Sequence, residues 1–492
     1  MNDRRKSDDP VVPEKPSNEA LTGAEEMAEE RGSAKGNSRQ RHRGRTQRRT
    51  RSLQTKLKRI RQAAKRDKEE KFTALWHHVY DPDRLKATFQ SLRKDAAAGV
   101  DARGWRDYAK GCQDRVDDLS ARLKRGGYRP APVRRTYIPK ADGKIRALGI
   151  PTIEDKIVQK TTAQVLEAIY EVDFLGFSYG FRQGRGPHNA LDAVVVGIEK
   201  ARVNYVLDAD IRGFFDAIDH EWLIRFIEHR VGDQRVIRQI RKWLKAGVLE
   251  EGKLSVQDKG TPQGGPISPL LANIYLHYVL DLWADAWRDK RAQGKVIIVR
   301  YADDFVVGFE SRSDAERFEQ DLIERFKRFG LELHSDKTRL IEFGRYAAER
   351  RRRRGESKPE SFEFLGFTHT CSVDSNGYFV VKRETSAKRM RAKLKEVAKE
   401  LNARLHQALP EVGKWLGQVL EGHMNYFGVV GNVDRLRAFR RQLTRQWKHA
   451  LRKRSQRSHI TWERMRKLRE KYLPQIRIVH PLPHTRLNYR PT

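Results

Sequence analysis

Cysteine is nearly absent from this chain, and so are the other features that would place it in a secreted, membrane or zinc-dependent class. The two cysteines, Cys112 and Cys371, can build neither a disulfide framework nor a cysteine-based zinc site, which fits a reducing compartment. His459, His480 and His484 lack zinc-finger spacing, so no zinc-bearing nuclease module is expected near the end of the chain. No apolar run reaches the length that crosses a bilayer, and the Met1 end is polar and charged rather than signal-like. A soluble, intracellular, cytoplasmic protein without a membrane partner is the expectation. Negative charge is also scarce: 101 Lys and Arg stand against 65 Asp and Glu, a formal net charge of +36. Such a chain calls for a polyanionic partner, nucleic acid first. What is present suffices for folding, since 38% of the 492 residues are hydrophobic and 9% aromatic. That length suggests roughly two to four domains.

Residues 1–52 mix Pro, Ser, Gly and charges with few large apolar side chains, and so read as a disordered basic arm. The seven arginines from Arg39 to Arg51 suit either a solubilising tail or phosphate binding. Leu53, Leu57, Ile60 and Ala64 then recur at helical spacing. Between Gly126 and Pro151, two short β-prone runs flank Asp142-Gly143, a strong hairpin signal, with Lys140, Lys144 and Arg146 on or beside the ribbon. Those cations serve either to guard an exposed edge or to neutralise a triphosphate under the hairpin. A helix is expected over 153–170, a Gly- and Arg-rich loop over 177–186, and another loop around the five arginines 350–354. Met390, Leu394, Val397, Leu401 and Leu405 form a helical apolar stripe, which places a boundary near 380. A basic tail follows from about 453.

The acids, though few, are concentrated. Val296 to Phe309, VIIVRYADDFVVGF, joins two apolar β-prone runs at Ala302-Asp303-Asp304. Adjacent carboxylates at the tip of a buried hairpin repel each other unless positive charge lies between them; a solvated acidic turn is the alternative. All-oxygen ligation would select Mg²⁺ or Mn²⁺. Residues 203–220, VNYVLDADIRGFFDAIDH, run a strand into an acidic turn in which Asp208 and Asp210 share one face. Asp216 and Asp219 suit helix capping, but an Asp ending a buried strand does not. Asp210 is therefore the second metal-site candidate, and only tertiary folding can bring it to Asp303. Gly260 to Leu280, GTPQGGPISPLLANIYLHYVL, reads as an irregular loop before a helix.

Seven motifs occur in one order: TYIPKADGKIRALGIPT, FSYGFRQGRGPHNAL, VLDADIRGFFDAIDH, GTPQGGPISPLLANIYLHYVLD, RYADDF, LHSDKT and FEFLGF. Over roughly Phe72 to Arg454 the chain resembles bacterial group II intron-encoded reverse transcriptases, or maturases. The resemblance implies an α+β right-hand polymerase, with fingers and palm followed by a helical thumb or maturase domain. It divides the chain into the arm at 1–52, an N-terminal extension and fingers at 53–200, and a palm with the remaining fingers elements at 201–380. The thumb would span 381–453, and 454–492 would be a basic tail suited to nucleic acid. Asp210, Asp303 and Asp304 are the implied catalytic acids, and these with Ile211 the implied ligands of two Mg²⁺ ions, or Mn²⁺ in their place. Lys144 and Arg146 would grip the triphosphate, Gln263 line the nucleotide pocket, Phe215 exclude a 2′-hydroxyl, and Lys337 donate a proton to pyrophosphate. FEFLGF resembles the primer grip.

Metal-assisted phosphoryl transfer needs no protein nucleophile, so the lack of a Ser-His-Asp or Cys-His set is consistent. Implied partners are group II intron RNA, an RNA template, a DNA primer or target, and deoxynucleoside triphosphates. The implied function is RNA-directed DNA polymerisation with assistance to splicing and retrohoming. A non-catalytic RNA chaperone on a polymerase fold, or a domesticated reverse transcriptase in repair or defence, are the alternatives. Ala98 and Ala147 replace prolines usual in relatives, and no HNH-type nuclease is visible.

Overall fold

The computed structural model describes residues 53–139, 145–250, 253–255, 260, 264–454 and 460–487. The arm expected at 1–52, the Asp142-Gly143 turn and His459 lie outside them. Strand β1 (Val133–Pro139) pairs antiparallel with β2 (Ile145–Ile150), setting Ile138 opposite Arg146. β3 (Tyr205–Asp210) carries the VLDAD sequence. β4 (Val248–Glu250) and β5 (Lys253–Ser255) extend the first sheet through a parallel contact of β4 with β1.

The apolar runs around Ala302-Asp303 form β6 (Val296–Tyr301) and β7 (Asp304–Phe309), the hairpin expected there. With β3 and β8 (Arg339–Glu342) they make an antiparallel sheet ordered β6-β7-β3-β8. β9 (Phe362–Phe364), β10 (Phe367–Val373) and β11 (Phe379–Thr385) form a third sheet ordered β11-β10-β9.

The central sheet is covered on both faces, which explains why its strands read as apolar runs rather than alternations. Leu207, Phe305, Val307 and Phe309 share a core with Phe318, Leu322 and Phe326 of the Arg312–Arg328 helix. On the opposite face Val206, Val299 and Val306 meet Ala190, Leu191 and Val194 of the Pro187–Lys200 helix. Each such side chain removed from water contributes about 1.5–3 kcal/mol. Helices Ala387–Ala403, Leu409–Phe427 and Val433–Arg452 enclose a separate core around Leu416, Phe439 and Trp447.

Three expectations need correction. A boundary at 380 would cut β11, which runs to Thr385; the change from sheet to helix falls at Ser386. The arginines at 350–354 mostly belong to the Ala347–Arg353 helix rather than a loop. Arginine is a good helix former, and Glu349 pairs with Arg353 one turn on. The third concerns 460–487, read as part of a separate basic tail. Its Trp462–Tyr472 helix buries Met465 and Leu473 in the C-terminal core, and the Tyr472 ring lies where a Cβ on Gly413 would be, 2.6 Å from the ring.

Beyond that helix the chain crosses back as a strap. Val479 and His480 donate their backbone N–H to the Gly428 carbonyl at 2.8 and 3.0 Å. His484 Nε2 reaches Glu199 at 2.6 Å and Arg486 reaches Asp192 at 3.1 Å, both on the Pro187–Lys200 helix. Among the described residues no helix is long and apolar enough to cross a membrane.

Because Met465 is fully buried, Met465→Ala is expected to lower the unfolding free energy of the full chain by about 2–5 kcal/mol in urea titration. A tail folded apart from the core would give no shift.

Candidate active site

Pairing of β3 with β7 sets Asp210 directly opposite Asp304, and pairing of β6 with β7 sets Tyr301 opposite Asp304. Asp303 occupies the two-residue connection with Ala302, so the turn delivers it beside the other two acids. Asp208, two positions before Asp210 on the same face of β3, is the fourth carboxylate of the group. The fold thus closes the 93-residue gap between Asp210 and Asp303 through strand register alone.

The group concentrates negative charge. Burial pushes the Asp208 carboxyl up to about 7; Arg339, 3.9 Å away, opposes the shift, and Asp210 and Glu363 add to it. Asp304 is also raised to about 7, first by desolvation, then by Asp303, Asp210 and Asp208, with Arg389 opposing. By accessible area Asp304 is exposed, so its desolvation is that of a concave mouth rather than an interior, and the repulsion from three neighbouring carboxylates is the firmer cause. Lys337 Nζ donates to Asp210 Oδ2, and its side chain remains half exposed. Its segment is docked by His334 N–H to the Asp210 carbonyl, 2.8 Å, and Arg212 N–H to Glu332, 2.9 Å. That pattern flanks the Ile211–Leu333 bridge and leaves the Ile211 carbonyl unused by this pairing; the buried Ile211 side chain offers no ligand atom.

Among the described residues no three ligating side chains converge closely enough to hold a metal ion as they stand. The donor set nevertheless fits a hard divalent cation: oxygens only, clustered, mutually repelling, and balanced at Asp210 by one movable ammonium group.

The turn is held by a residue whose role the sequence did not signal. Arg300, fully buried at the end of β6, uses all five N–H donors: Nε and Nη2 on Asp281 (2.7 and 2.5 Å), Nη1 on Asn273 Oδ1 (3.0 Å) and on the Ala302 carbonyl (2.9 Å), and Nη2 on Ser178 Oγ (2.8 Å). Asn273 also donates to the Gly180 carbonyl at 2.7 Å. Ala302 sits at φ +58°, a conformation unfavourable for an L side chain, so the turn needs such bracing. Gly180 passes so close that a Cβ there would lie 2.3 Å from the Ala302 nitrogen. Exposed Phe181, next in the chain, stands 6.4 Å from the Tyr301 ring.

Phe215 lies half-buried in the short Phe214–Ala217 helix after β3. Gly260 packs against its carbonyl, and a Cβ on Gly264 would meet the Gly149 carbonyl of β2 at 2.6 Å. Gly260 and Gly264 are thereby fixed beside Phe215 and beside the strand carrying Arg146, respectively. Lys144 and Gln263 lie outside the described residues, as does the Arg146 side chain. FEFLGF forms β9 and the start of β10; its Leu365 carbonyl accepts from Tyr426 Oη at 2.9 Å, joining the third sheet to the C-terminal helices.

The profile of the family "Reverse transcriptase (RNA-dependent DNA polymerase)" matches residues 138–369, the stretch containing every one of these acids. Group II intron-encoded protein LtrA of Lactococcus lactis subsp. cremoris is 40% identical over 224 residues, 45% of this chain and 37% of that protein. Residues 138–369 are thus a reverse transcriptase domain, and the likeness to LtrA supports a group II intron-encoded member of that family. Protein YkfC of Escherichia coli K12 is 35% identical over 256 residues, 45% of this chain and 66% of that protein. Nuclear intron maturase 3 of Arabidopsis thaliana, a mitochondrial protein, is 28% identical over 131 residues, 26% of this chain and 18% of that protein. The chain thus spans 37% of the first of these relatives, so family membership alone does not carry a relative's whole activity across.

Gly180→Ala is expected to displace the Ala302-Asp303 turn and cost about 1–3 kcal/mol, read as a lowered thermal midpoint. An unchanged midpoint would mean that the loop and the turn are not in contact.

Proposed function

We propose that this chain is an RNA-directed DNA polymerase that extends a primer with deoxynucleotides and that also binds its intron RNA, assisting splicing and insertion. The observation that carries the reading is the register: Asp210 opposite Asp304, with Asp303 in the adjoining turn, inside the stretch matched by the reverse transcriptase profile. In this reading the chain is a right hand, with the β6-β7-β3-β8 sheet as palm, the β1-β2 hairpin in the fingers and the helices after Ser386 as thumb.

Asp210 and Asp303 would hold two Mg²⁺ ions, supported by Asp304 and the Ile211 carbonyl. Mg²⁺ bound there would supply Lewis-acid chemistry, lowering the pKa of a primer 3′-hydroxyl and stabilising the leaving pyrophosphate. The chain's own residues then have distinct tasks. Lys337 keeps a proton at Nζ and, once released from Asp210, can give it to the departing pyrophosphate. The Phe215 ring fills the space a ribose 2′-hydroxyl would need. Lys144, Arg146 and Gln263 supply triphosphate and base contacts from segments whose fixed flanks lie beside Phe215 and β2. Arg300 keeps Asp303 in place without touching substrate.

RNA binding draws on a different resource, the +36 charge, and should weaken steeply with salt. The two activities are therefore expected to separate. Asp303→Ala should lower primer extension on an RNA template by about a thousandfold or more while leaving intron RNA binding and splicing assistance intact. Extension at the wild-type rate would overturn the site, and loss of splicing by a folded variant would contradict a purely RNA-binding basis for that role.

A further inference from the structure

Away from the carboxylates, the helix Cys112–Lys124, the turn after it and the helix Gln234–Leu244 enclose a pocket of about 200 Å³. Its rim is cationic: Lys124, Arg125, Arg235, Arg238 and Lys242 all line it, and no Asp or Glu does. Arg235 is neutralised by Asp233 at 3.0 Å, and Lys242 rests on the Tyr128 carbonyl at 3.1 Å. Lys124, Arg125 and Arg238 are exposed and make no ion pair among the described residues. Three unneutralised cations around one small concavity repel each other, so the arrangement lacks an anion.

A second observation points the same way from inside. Gln239, 4% exposed, lines the pocket with an amide Nε2 that has no hydrogen-bond partner. A buried N–H without an acceptor costs about 1–3 kcal/mol, and an anionic oxygen in the pocket would supply the acceptor. The opposing term is small. The C-terminal end of the Cys112–Lys124 helix faces this region, but its carbonyls are already taken, Leu123 by Trp76 Nε1 at 3.1 Å and Arg122 by the Gly127 N–H at 2.9 Å. Gly126 at φ +79° lets the chain turn away at once, which keeps the mouth open.

We propose that this pocket is a phosphate-binding site separate from the polymerase centre. Phosphate fits the rim cations as point charges and Gln239 as a directional donor. The same chemistry comes from two sources, a phosphodiester of a bound RNA strand or a free phosphate or nucleotide. The +36 chain and the open, surface-lying rim favour the strand. Binding is measured without polymerisation, so the outcome stands apart from that of the Asp303 test.

Two variants of the full chain decide it, with inorganic phosphate and a labelled oligouridylate as probes. Gln239→Leu keeps the net charge and removes the unpaired amide; Lys124→Gln with Arg238→Gln removes rim charge from exposed positions that tolerate substitution. Phosphate should raise the thermal midpoint of the wild type beyond matched potassium chloride, and should not do so for either variant. Gln239→Leu should weaken RNA binding about tenfold at fixed salt. The double variant should flatten the slope of log affinity against log salt by about one to two. Loss of the phosphate response with wild-type RNA binding would uphold the site and assign it to a free phosphate or nucleotide. A phosphate response and RNA binding equal to wild type in both variants would overturn it. Should Gln239→Leu fail to fold, the exposed double variant still separates these outcomes.

Discussion

The pair between Arg300 and Asp281 is the constraint on which the acid site depends. Both side chains are fully buried, and removing two such charges from water costs several kcal/mol apiece. That cost is offset only because the guanidinium is completely satisfied, by a bidentate carboxylate, an amide, a hydroxyl and the carbonyl of Ala302. The five bonds gather three separate pieces of chain: the Phe177–Gly180 loop, the Ser268–Leu276 helix with the wider π-turn His277–Asp281 continuing from it, and the Val296–Phe309 hairpin. A π-turn inserts one residue into a helix and re-aims the downstream side chains, and here it carries Asp281. The Phe177–Gly180 loop adds backbone bonds along β6, Tyr179 N–H to Arg300 O at 2.8 Å and Arg300 N–H to Phe177 O at 2.9 Å. The interior therefore fixes where the Ala302 carbonyl sits, and with it where Asp303 points.

Electrostatics divides the chain into two regimes. Over the surface, cations dominate and attract a polyanion. At the mouth of the central sheet the sign reverses locally, and burial together with the neighbouring carboxylates raises the proton affinity of Asp208 and Asp304. Such a cluster is costly to fold, and Lys337 on Asp210 relieves part of the strain while leaving the pair open enough to exchange. The same residues that repel in isolation become ligands once a hard cation arrives, so the local instability and the proposed chemistry have one origin.

How much of this was legible in the sequence depended on whether the signal was local. The β6-β7 hairpin could be read because two β-prone runs flank a two-residue break, and Asp208 and Asp210 share a face because strands have period two. The meeting of Asp210 with Asp304 was anticipated only as a need for tertiary folding, since strand order is not written in any one segment. Arg300 was hidden: one arginine ending an apolar strand looks like a surface terminus until Asp281, Asn273 and Ser178 are seen around it. The arginine run at 350–354 misled because charge suggested a solvated loop where helix propensity prevailed. Residues 460–487 misled for the related reason that basic composition masked two anchors, Met465 and Leu473. The pocket beside Gln239 had no local signal at all, because its cations come from segments more than a hundred residues apart.

The claim that a buried ion pair sets the acid turn is tested most directly by replacing the pair with apolar residues of similar volume, Arg300→Met together with Asp281→Leu. Such replacements are often neutral or stabilising, so the doubly substituted chain should unfold within about 2 kcal/mol of the wild type. Primer extension on an RNA template, measured on that same folded protein, should nevertheless fall at least about tenfold, because the Ala302 carbonyl has lost its donor and Asp303 its fixed position. A stable double variant that extends primers at the wild-type rate would contradict the account.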